Sequence, residues 1–286
     1  TFVEDEAGRF TEETVYRHLH PMLARRLEIW RLANFELERR PAPEDVHLFF
    51  GVARSNKDDR RLFALAEVRD IEPVTDAVSG RVSYPRLERT GLLAMAAMRT
   101  ELARYTPRDR PVANRLVLDV LAPWTLPAEH VQALANHFAP LAARVGLQKV
   151  VLKVLRPDAA APGGLRPSVL QFESVGTTVL VTEAQAGIEP IRPLSAYRQK
   201  VLTAARFGSP YPYEIVRLLT QRNAGDGLPP DSFRELDLDA DNRLVPVERE
   251  PGRNTAHIVV GLVTNRTAVV PEGMTRVALL SDPTQG

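Results

Sequence analysis

The residues with the most obvious capacity for chemistry in this sequence are its six histidines, because imidazole binds metals and transfers protons near neutral pH. They are His18, His20, His47, His130, His137 and His257. His18 and His20 lie two positions apart, a spacing that points them in different directions on a helix. No carboxylate cluster accompanies His130 and His137, and the sequence contains no HExxH or related zinc spacing. We therefore predict structural or exposed histidines, with neither a metal site nor a catalytic histidine.

Other reactive groups are missing from the sequence or lack the necessary spacing. There are no cysteines, which excludes disulfides, thiolate metal sites and cysteine nucleophiles. Gly163-Gly164 and Gly225-Asp-Gly227 lack the spacing of a phosphate-binding loop, and no serine lies in a nucleophile elbow. Two alanines separate Met95 from Met98, where a biotin-attachment signature has a lysine. We predict no catalytic and no cofactor-binding residue within this chain.

Composition narrows the class of partner. Charged residues make up 26% of the chain and are interspersed, and the net charge is +1, so we expect neither nucleic acid nor a membrane surface as a partner. No window contains the roughly 18 apolar residues of a membrane-spanning helix. The first residues do not resemble a signal peptide, and the lack of cysteine is typical of the cytoplasm, where we expect the protein to reside.

Apolar spacing predicts an α+β fold for the elements that must position these side chains. A helix over 12–38 is predicted from residues at helical spacing, namely Leu19, Leu23, Leu27, Trp30, Ala33 and Leu37. Two further long helices are predicted over about 85–105 and after Thr125, which we expect to cap the second. Strands are predicted at 47–54, 62–69, 114–121, 149–155, 168–173 and 177–184. Because these strands follow mainly in hairpin order, we expect a six-stranded, mainly antiparallel sheet with two long helices on one face.

A change in the sequence pattern near residue 223, from mixed helices and strands to short strands alone, predicts two domains. Residues 223–231 are dense in Gly, Pro and Asp and are the expected linker. Residues 1–222 would form a non-catalytic scaffold domain, and residues 232–286 would be the β-rich start of a second, truncated domain. The chain begins without Met and ends just after an apolar run, so we expect it to continue at both ends. The loop 157–167 is expected to be mobile.

The tract Pro193–Ile215 is the most specific segment of the sequence, although it contains no catalytic residue types. Two short helices, about 194–206 and 212–222, are predicted there. Its aromatic residues could simply fill a core beneath these helices. Tyrosine and arginine are also favoured at interfaces, and the tract adjoins the expected linker. We therefore predict interdomain docking by the following residues: Tyr197, Arg206, Phe207, Tyr211 and Tyr213.

These motifs, taken together, resemble single-chain biotin-dependent acetyl-CoA carboxylases. The first helix of the last central unit of that family is similar at Tyr16-Arg-His-Leu19, Pro21, Leu27-Glu28, Arg31 and Asn34-Phe-Glu-Leu37. The first sheet strand is similar at His47-Leu48, Gly51 and Ala53. The joining tract is similar at Pro193, Tyr197, Lys200, Leu202, Arg206-Phe207, Tyr211 and Tyr213-Glu214. The start of the carboxyltransferase is similar at Glu235-Leu236, Leu244-Val245, Pro251-Gly252, Asn254 and Pro271-Glu-Gly273.

The resemblance implies a parent ligase that uses ATP, bicarbonate, a divalent metal and biotin to carboxylate acetyl-CoA or a longer acyl-CoA for fatty acid biosynthesis. It implies that residues 1–222 are the non-catalytic central scaffold, and that residues 232–286 open a crotonase-like carboxyltransferase whose catalytic groups lie elsewhere. The implied partners are the biotin carboxylase, biotin carrier and carboxyltransferase domains of the same enzyme, which is expected to be a homo-oligomer.

Two other classes of function stay open from the residues alone. The chain could be a stand-alone α+β protein-interaction module. It could also be an unrecognised acyltransferase or hydrolase, which would need a nucleophile and a base that converge in the fold.

Overall fold

Alternating apolar residues in the first two-thirds of the chain build one large sheet. The computed structural model of the protein describes residues 2–4, 8–12, 19–107, 109–175, 178–185, 187, 189–221 and 228–285. The chain divides into two compact units, Thr1–Pro193 and Leu194–Gly286. Helices and strands are numbered below in chain order within these units.

The first unit is built on a seven-stranded mixed sheet with the order β11-β10-β9-β8-β5-β4-β3. The strands are β3 (Phe35–Arg40), β4 (Val46–Ala53), β5 (Arg60–Val68), β8 (Asn114–Pro123), β9 (Leu147–Pro157), β10 (Leu165–Val175) and β11 (Thr178–Gln185). The pairs β5–β8 and β8–β9 are parallel, and the other four pairs are antiparallel. The α+β class and the mainly antiparallel pairing are therefore as predicted, but the prediction of six strands was wrong because β3 was missed.

The two long helices connect the parallel strands, as a parallel connection requires. They are α2 (Pro85–Leu102) and α3 (Ala128–Arg144), and each begins beside a proline, where a missing amide costs nothing. Both pack on one face of the sheet, against the side chains of Leu116, Leu118 and Leu152, which are fully buried. The predicted cap is wrong in detail, because Pro127 rather than Thr125 occupies the N-cap of α3.

The helix predicted over 12–38 was wrong. In its place, α1 (Pro21–Arg26) is followed by a 3-10 turn, Ile29–Leu32, and by strand β3, while residues 13–18 lie outside the described part of the chain. Glu28 has φ 52° and ψ 45°, a left-handed conformation that ends the helical path. Phe35 is fully buried against the edge of the ring of Phe63, with ring centroids 5.0 Å apart, so pairing with β4 outweighs the helical spacing.

The opposite face of the sheet is covered by these short elements near β3, β4 and β5. Leu27, Ile29 and Leu32 are buried there against Phe49 and Leu65. Small antiparallel pairs complete the first unit: β1 (Phe2–Glu4) with β2 (Phe10–Glu12), and β6 (Val74–Thr75) with β7 (Val82–Ser83).

The second unit combines a helix pair with a four-stranded antiparallel sheet of order β13-β12-β14-β15. Its elements are α4 (Ala196–Arg206), α5 (Pro212–Thr220), β12 (Ser232–Leu238), β13 (Leu244–Pro246), β14 (Ile258–Asn265) and β15 (Met274–Ser281). Val259 of β14, fully buried, belongs to the same core cluster as Ala204 of α4 and Tyr213 of α5. The helix pair and the strands thus share one core.

The observed division differs from the expected domain boundary. The expected scaffold ended at residue 222, whereas the compact units meet at Pro193 and Leu194. The reason is the shared core, which joins both helices to the strands that follow them. Residues 223–227 of the expected linker lie outside the described residues. The loop 157–167 is shorter than expected, because β9 extends to Pro157 and β10 begins at Leu165.

Candidate functional site

The candidate site is a cluster of three tyrosines in the second unit, which we call the tyrosine cluster: Tyr197, Tyr211 and Tyr213. Ser195 caps α4 by accepting a hydrogen bond from the amide of Arg198 at 3.2 Å, which places Tyr197 in the first turn. Pro212 begins α5, so Tyr211 and Tyr213 flank the start of that helix. The ring centroid of Tyr211 lies 5.5 Å from that of Tyr197 and 5.7 Å from that of Tyr213.

Tyr213 joins the helix pair to the sheet through a buried carboxylate. Its hydroxyl donates to the two carboxylate oxygens of Glu235 on β12, at 2.9 and 3.0 Å. Arg249 donates from Nε to the same carboxylate at 2.7 Å and from Nη1 to Asp237 at 2.6 Å. Glu235 is only 7% exposed, so its charge is held by these donors rather than by water. We call these four residues the Glu235 network.

Two further bonds fasten α4. Tyr197 donates its hydroxyl to Glu214 at 2.8 Å, and Lys200 donates to the carbonyl oxygen of Gly252 at 2.7 Å. Gly252 has φ +90°, and a Cβ there would lie 3.1 Å from the Tyr197 ring and 3.3 Å from the Tyr211 hydroxyl. Glycine is therefore required both for its backbone conformation and for the close approach of the tyrosines.

Burial and hydrogen bonding keep the three tyrosines and Arg249 in fixed protonation states near neutral pH. Burial raises the pKa of Tyr197 to about 12, and the acceptor Glu214 acts in the same direction. Burial also raises the pKa of Tyr211 and Tyr213 well above the usual value. Burial opposes the charge of Arg249, but its bonds to Glu235 and Asp237 outweigh that effect and raise its pKa. Tyr197 and Tyr213 therefore act as hydrogen-bond donors, the buried Tyr211 hydroxyl makes no hydrogen bond within the described residues, and none of the three is poised to accept a proton at pH 7.

The structure brings together three of the five residues predicted to dock. Tyr211 and Tyr213 are 1% and 4% exposed, so their side chains are occupied within the second unit. Arg206 and Phe207 lie at the other end of α4, where the guanidinium stands 5.7 Å from the ring centroid of Phe207. The Phe207 side chain is 43% exposed. The docking role remains a prediction, and among these residues the exposed Phe207 ring offers a surface for it.

Sequence reasoning missed the acidic half of the site. Glu235 and Asp237 share a face of β12 with Phe233, toward the helices, while Leu236 and Leu238 lie on the other face. The sequence did show a strand pattern in which carboxylates occupy alternate positions and therefore one face. Such a face is normally predicted to be exposed to solvent, unless a cation is known to pair with it. Arg249 supplies that cation from a segment after β13, which periodicity alone does not place.

Three of the described histidines, His47, His130 and His137, contact other side chains, whereas His20 and His257 are exposed. His130 on α3 hydrogen bonds to the Tyr84 hydroxyl at 2.7 Å, and His137 lies 3.8 Å from Glu88 of α2. Burial lowers the pKa of His47, and nearby Arg39 acts in the same direction. His18 lies outside the described residues. Within the described ranges, no group of three His, Asp or Glu residues could hold a metal, and no helix is long and apolar enough to cross a membrane.

Comparisons with known proteins find that this chain is similar to acetyl-CoA carboxylases. The family model described as acetyl-CoA carboxylase, central region, matches residues 1–156. Acetyl-CoA carboxylase of Saccharomyces cerevisiae is 24% identical over 96% of this chain and 14% of its own length. Acetyl-CoA carboxylase dmxL1 of Cryptosporiopsis sp. is 23% identical over 96% of this chain and 14% of its own length.

A solved structure is also similar. The crystal structure of the central domain of yeast acetyl-CoA carboxylase gives a TM-score of 0.47 at 18% identity, over 65% of this chain and 29% of that one. The chain spans about 14% of the length of the curated relatives it matches. Because the family model covers 156 of the 286 residues, the chain belongs to the acetyl-CoA carboxylase central-region family.

Proposed function

We propose that this chain is a non-catalytic scaffold within a biotin-dependent acyl-CoA carboxylase. The family match and the resemblance of the motifs support the parent enzyme. The parent would use ATP, bicarbonate and a divalent metal to carboxylate biotin, and would then carboxylate acetyl-CoA or a longer acyl-CoA for fatty acid biosynthesis in the cytoplasm. Its biotin carboxylase, biotin carrier and carboxyltransferase domains would be the partners, and we expect a homo-oligomer.

The observation that supports the scaffold proposal is that hydrogen bonds hold the chain in place on both sides of Pro193. Ile191 donates its amide to the carbonyl of Arg31 at 2.7 Å, and Arg61 donates to the carbonyl of Arg192 at 3.2 Å. These bonds fix the last residues of the first unit to its 3-10 turn and to strand β5. Ser195 then caps α4. The connection between two firmly built units is therefore very short.

A short connection between the two units supports a positional role. A tethered carrier reaches its sites at an effective concentration set by the length and stiffness of what holds it. In the second unit, the Glu235 network commits its polar groups to structural bonds. We further propose that residues 232–286 are the first strands of the crotonase-like carboxyltransferase, with α4 and α5 as their packing partners and residues 1–193 as the main body of the scaffold.

The proposal is tested by assaying the purified 286-residue chain with ATP, bicarbonate, free biotin and acetyl-CoA. We expect neither carboxybiotin nor malonyl-CoA above the buffer background. The intact carboxylase, assayed in parallel, provides the positive control. Turnover by the purified chain, abolished by substitution of one of its own residues, would overturn the scaffold proposal in favour of an enzyme.

A further inference from the structure

A cavity of about 190 Å³ in the first unit lies on the sheet face opposite the two long helices. Its floor is formed by side chains that the strand register places in rows across β5, β8 and β9. In one row, Leu65, Val117 and Val151 are aligned and give an apolar strip. A flanking row contains Arg115 directly opposite Lys149. We call this the Arg115 cavity.

The other walls come from two connecting segments. The helical segment that covers β4 and β5 contributes Leu27, Glu28 and Arg31. The segment that follows β11 contributes Gly187 and Ile191. The amide of Ile191 donates to the carbonyl of Arg31 at 2.7 Å, so these two walls are joined by a hydrogen bond.

The charges around the Arg115 cavity do not balance. Four cations line it: Arg31, Arg115, Lys149 and Lys153. Three carboxylates pair with three of these cations. Lys149 pairs with Glu173, Lys153 lies 3.3 Å from Asp119, and Glu28 lies 3.5 Å from Arg31 and 3.4 Å from Lys153. Four cations against three carboxylates leave one positive charge, on Arg115.

Arg115 is the cation that the surroundings leave unneutralised. Its Nε is buried and makes no hydrogen bond within the ranges that the structure describes. Like charges directly opposite on neighbouring strands repel, and Lys149 occupies that position. Burial lowers the pKa of Arg115 to about 10, and the charges of Arg61 and Arg31 act in the same direction, whereas the charges of Glu173 and Asp59 oppose this shift without outweighing it. The guanidinium is still charged at pH 7, so an anion is the partner that would relieve it.

We propose that the Arg115 cavity binds a small monocarboxylate with an apolar body. A guanidinium offers two parallel N–H donors that match a carboxylate, and the single excess charge fits a monoanion. Val117 and Val151 provide an apolar surface for the body of the ligand. The volume sets the size, because a cavity of about 150 Å³ accommodates benzene. A ligand of the size of benzoate therefore fits the cavity.

The proposal is independent of the scaffold function and is tested by calorimetric titration of the 286-residue chain with benzoate. We expect saturable one-site binding with a Kd of about 1 mM or lower. Benzamide has the same body without the charge, and we expect it to bind at least about tenfold more weakly. No saturable benzoate binding, equal affinity for benzamide, or tighter binding of inorganic phosphate would overturn the proposal.

Variants locate the binding. Arg115→Met removes the charge while keeping an unbranched side chain, and we expect it to weaken benzoate binding about tenfold to a hundredfold. Arg115→Lys keeps the charge without the fork, so its affinity should lie between the two. Arg86→Met is the matched control, because Arg86 lies on α2, is 73% exposed and pairs with Asp70. Unchanged affinity in a folded Arg115→Met or Arg115→Lys variant would contradict the assignment.

A second measurement is amide hydrogen exchange in the segment after β11 that forms one wall of the Arg115 cavity. Benzoate should slow amide hydrogen exchange at Ile191, because the ligand would contact the wall that this amide fastens to Arg31. Arg115→Met should abolish this protection without changing exchange in β14 of the second unit. Benzoate-induced protection that persists in Arg115→Met would place the ligand elsewhere and overturn the proposal.

Discussion

The Glu235 network predicts that the second unit depends on one buried carboxylate for its stability. Glu235→Leu removes the acceptor of two Tyr213 contacts at 2.9 and 3.0 Å and of the Arg249 Nε bond at 2.7 Å. A buried hydroxyl left without an acceptor costs about 1–3 kcal/mol, and breaking a buried ion pair costs about 3–5 kcal/mol. Arg249 retains Asp237 and is 20% exposed at its side chain, which reduces the second contribution. We expect a net loss of about 3 kcal/mol in the free energy of unfolding.

The unfolding of the two units can be followed by separate probes. Both tryptophans, Trp30 and Trp124, belong to the first unit, so their fluorescence reports its unfolding. Hydrogen exchange at the amides of Val259 and Val263, which are buried in β14, reports the second unit. At an m-value of about 1.5 kcal/mol/M, a loss of 3 kcal/mol lowers the urea midpoint of the second unit by about 2 M.

The control and the contrary outcome are equally specific. Glu250→Gln removes a carboxylate that is 82% exposed and 3.7 Å from Arg253, and we expect almost no change in stability. Tyr213→Phe should cost about 1–2 kcal/mol, and less in the Glu235→Leu background, because both changes remove the same bond. A Glu235→Leu variant with an unchanged exchange rate in β14 would refute the reasoning.

Three further predictions concern the second unit. The pKa of Tyr197 in the folded protein, about 12, lies above the ordinary value of 10. The contribution of Tyr197 to stability is therefore complete below pH 10 and is lost as the pH rises toward 12. Tyrosinate absorbance should rise together with unfolding between these two pH values. Gly261→Ala should cost about 2–3 kcal/mol in urea unfolding, because the new Cβ would lie 2.3 Å from the Phe233 ring and 2.7 Å from the Arg234 carbonyl oxygen; wild-type stability would contradict this. Val277 and Leu279 are 66% and 69% exposed on one face of β15, so Leu279→Glu should reduce concentration-dependent self-association in sedimentation velocity, and equal association in both proteins would exclude this face.

Elements with a single strong period were predictable from the sequence. The residues of α2 and α3, and the strands around Leu116 and Leu152, follow one apolar spacing, and the structure places them within a few residues of the predicted bounds. Residues 19–40 were not predictable in this way. Leu23, Leu27 and Leu37 satisfy helical spacing, but the segment contains a left-handed Glu28 and ends as a strand whose partner, β4, is a tertiary feature.

The tyrosine cluster was predictable only in part. Proline and aromatic residues around residue 212 indicated a specific packing site, and Tyr197, Tyr211 and Tyr213 do meet there. The carboxylate that accepts from Tyr213 was not predicted, because a carboxylate within a strand normally indicates a solvent-exposed position. The helices α4 and α5 also share a core with later strands, which the sequence could not show, since composition indicates a linker but not on which side of it a helix packs.

The most direct test of the scaffold account is to lengthen the connection at Pro193 in the proposed parent carboxylase. An insertion of about ten Gly and Ser residues between Pro193 and Leu194 should leave both half-reactions on free biotin within about twofold of wild type, while the overall reaction through the tethered carrier falls several-fold. The same insertion after Ala160, in the loop between β9 and β10, should change neither rate. An overall rate unaffected by the insertion at Pro193, or a loss of one half-reaction on free biotin in proportion to the overall rate, would contradict a purely positional role.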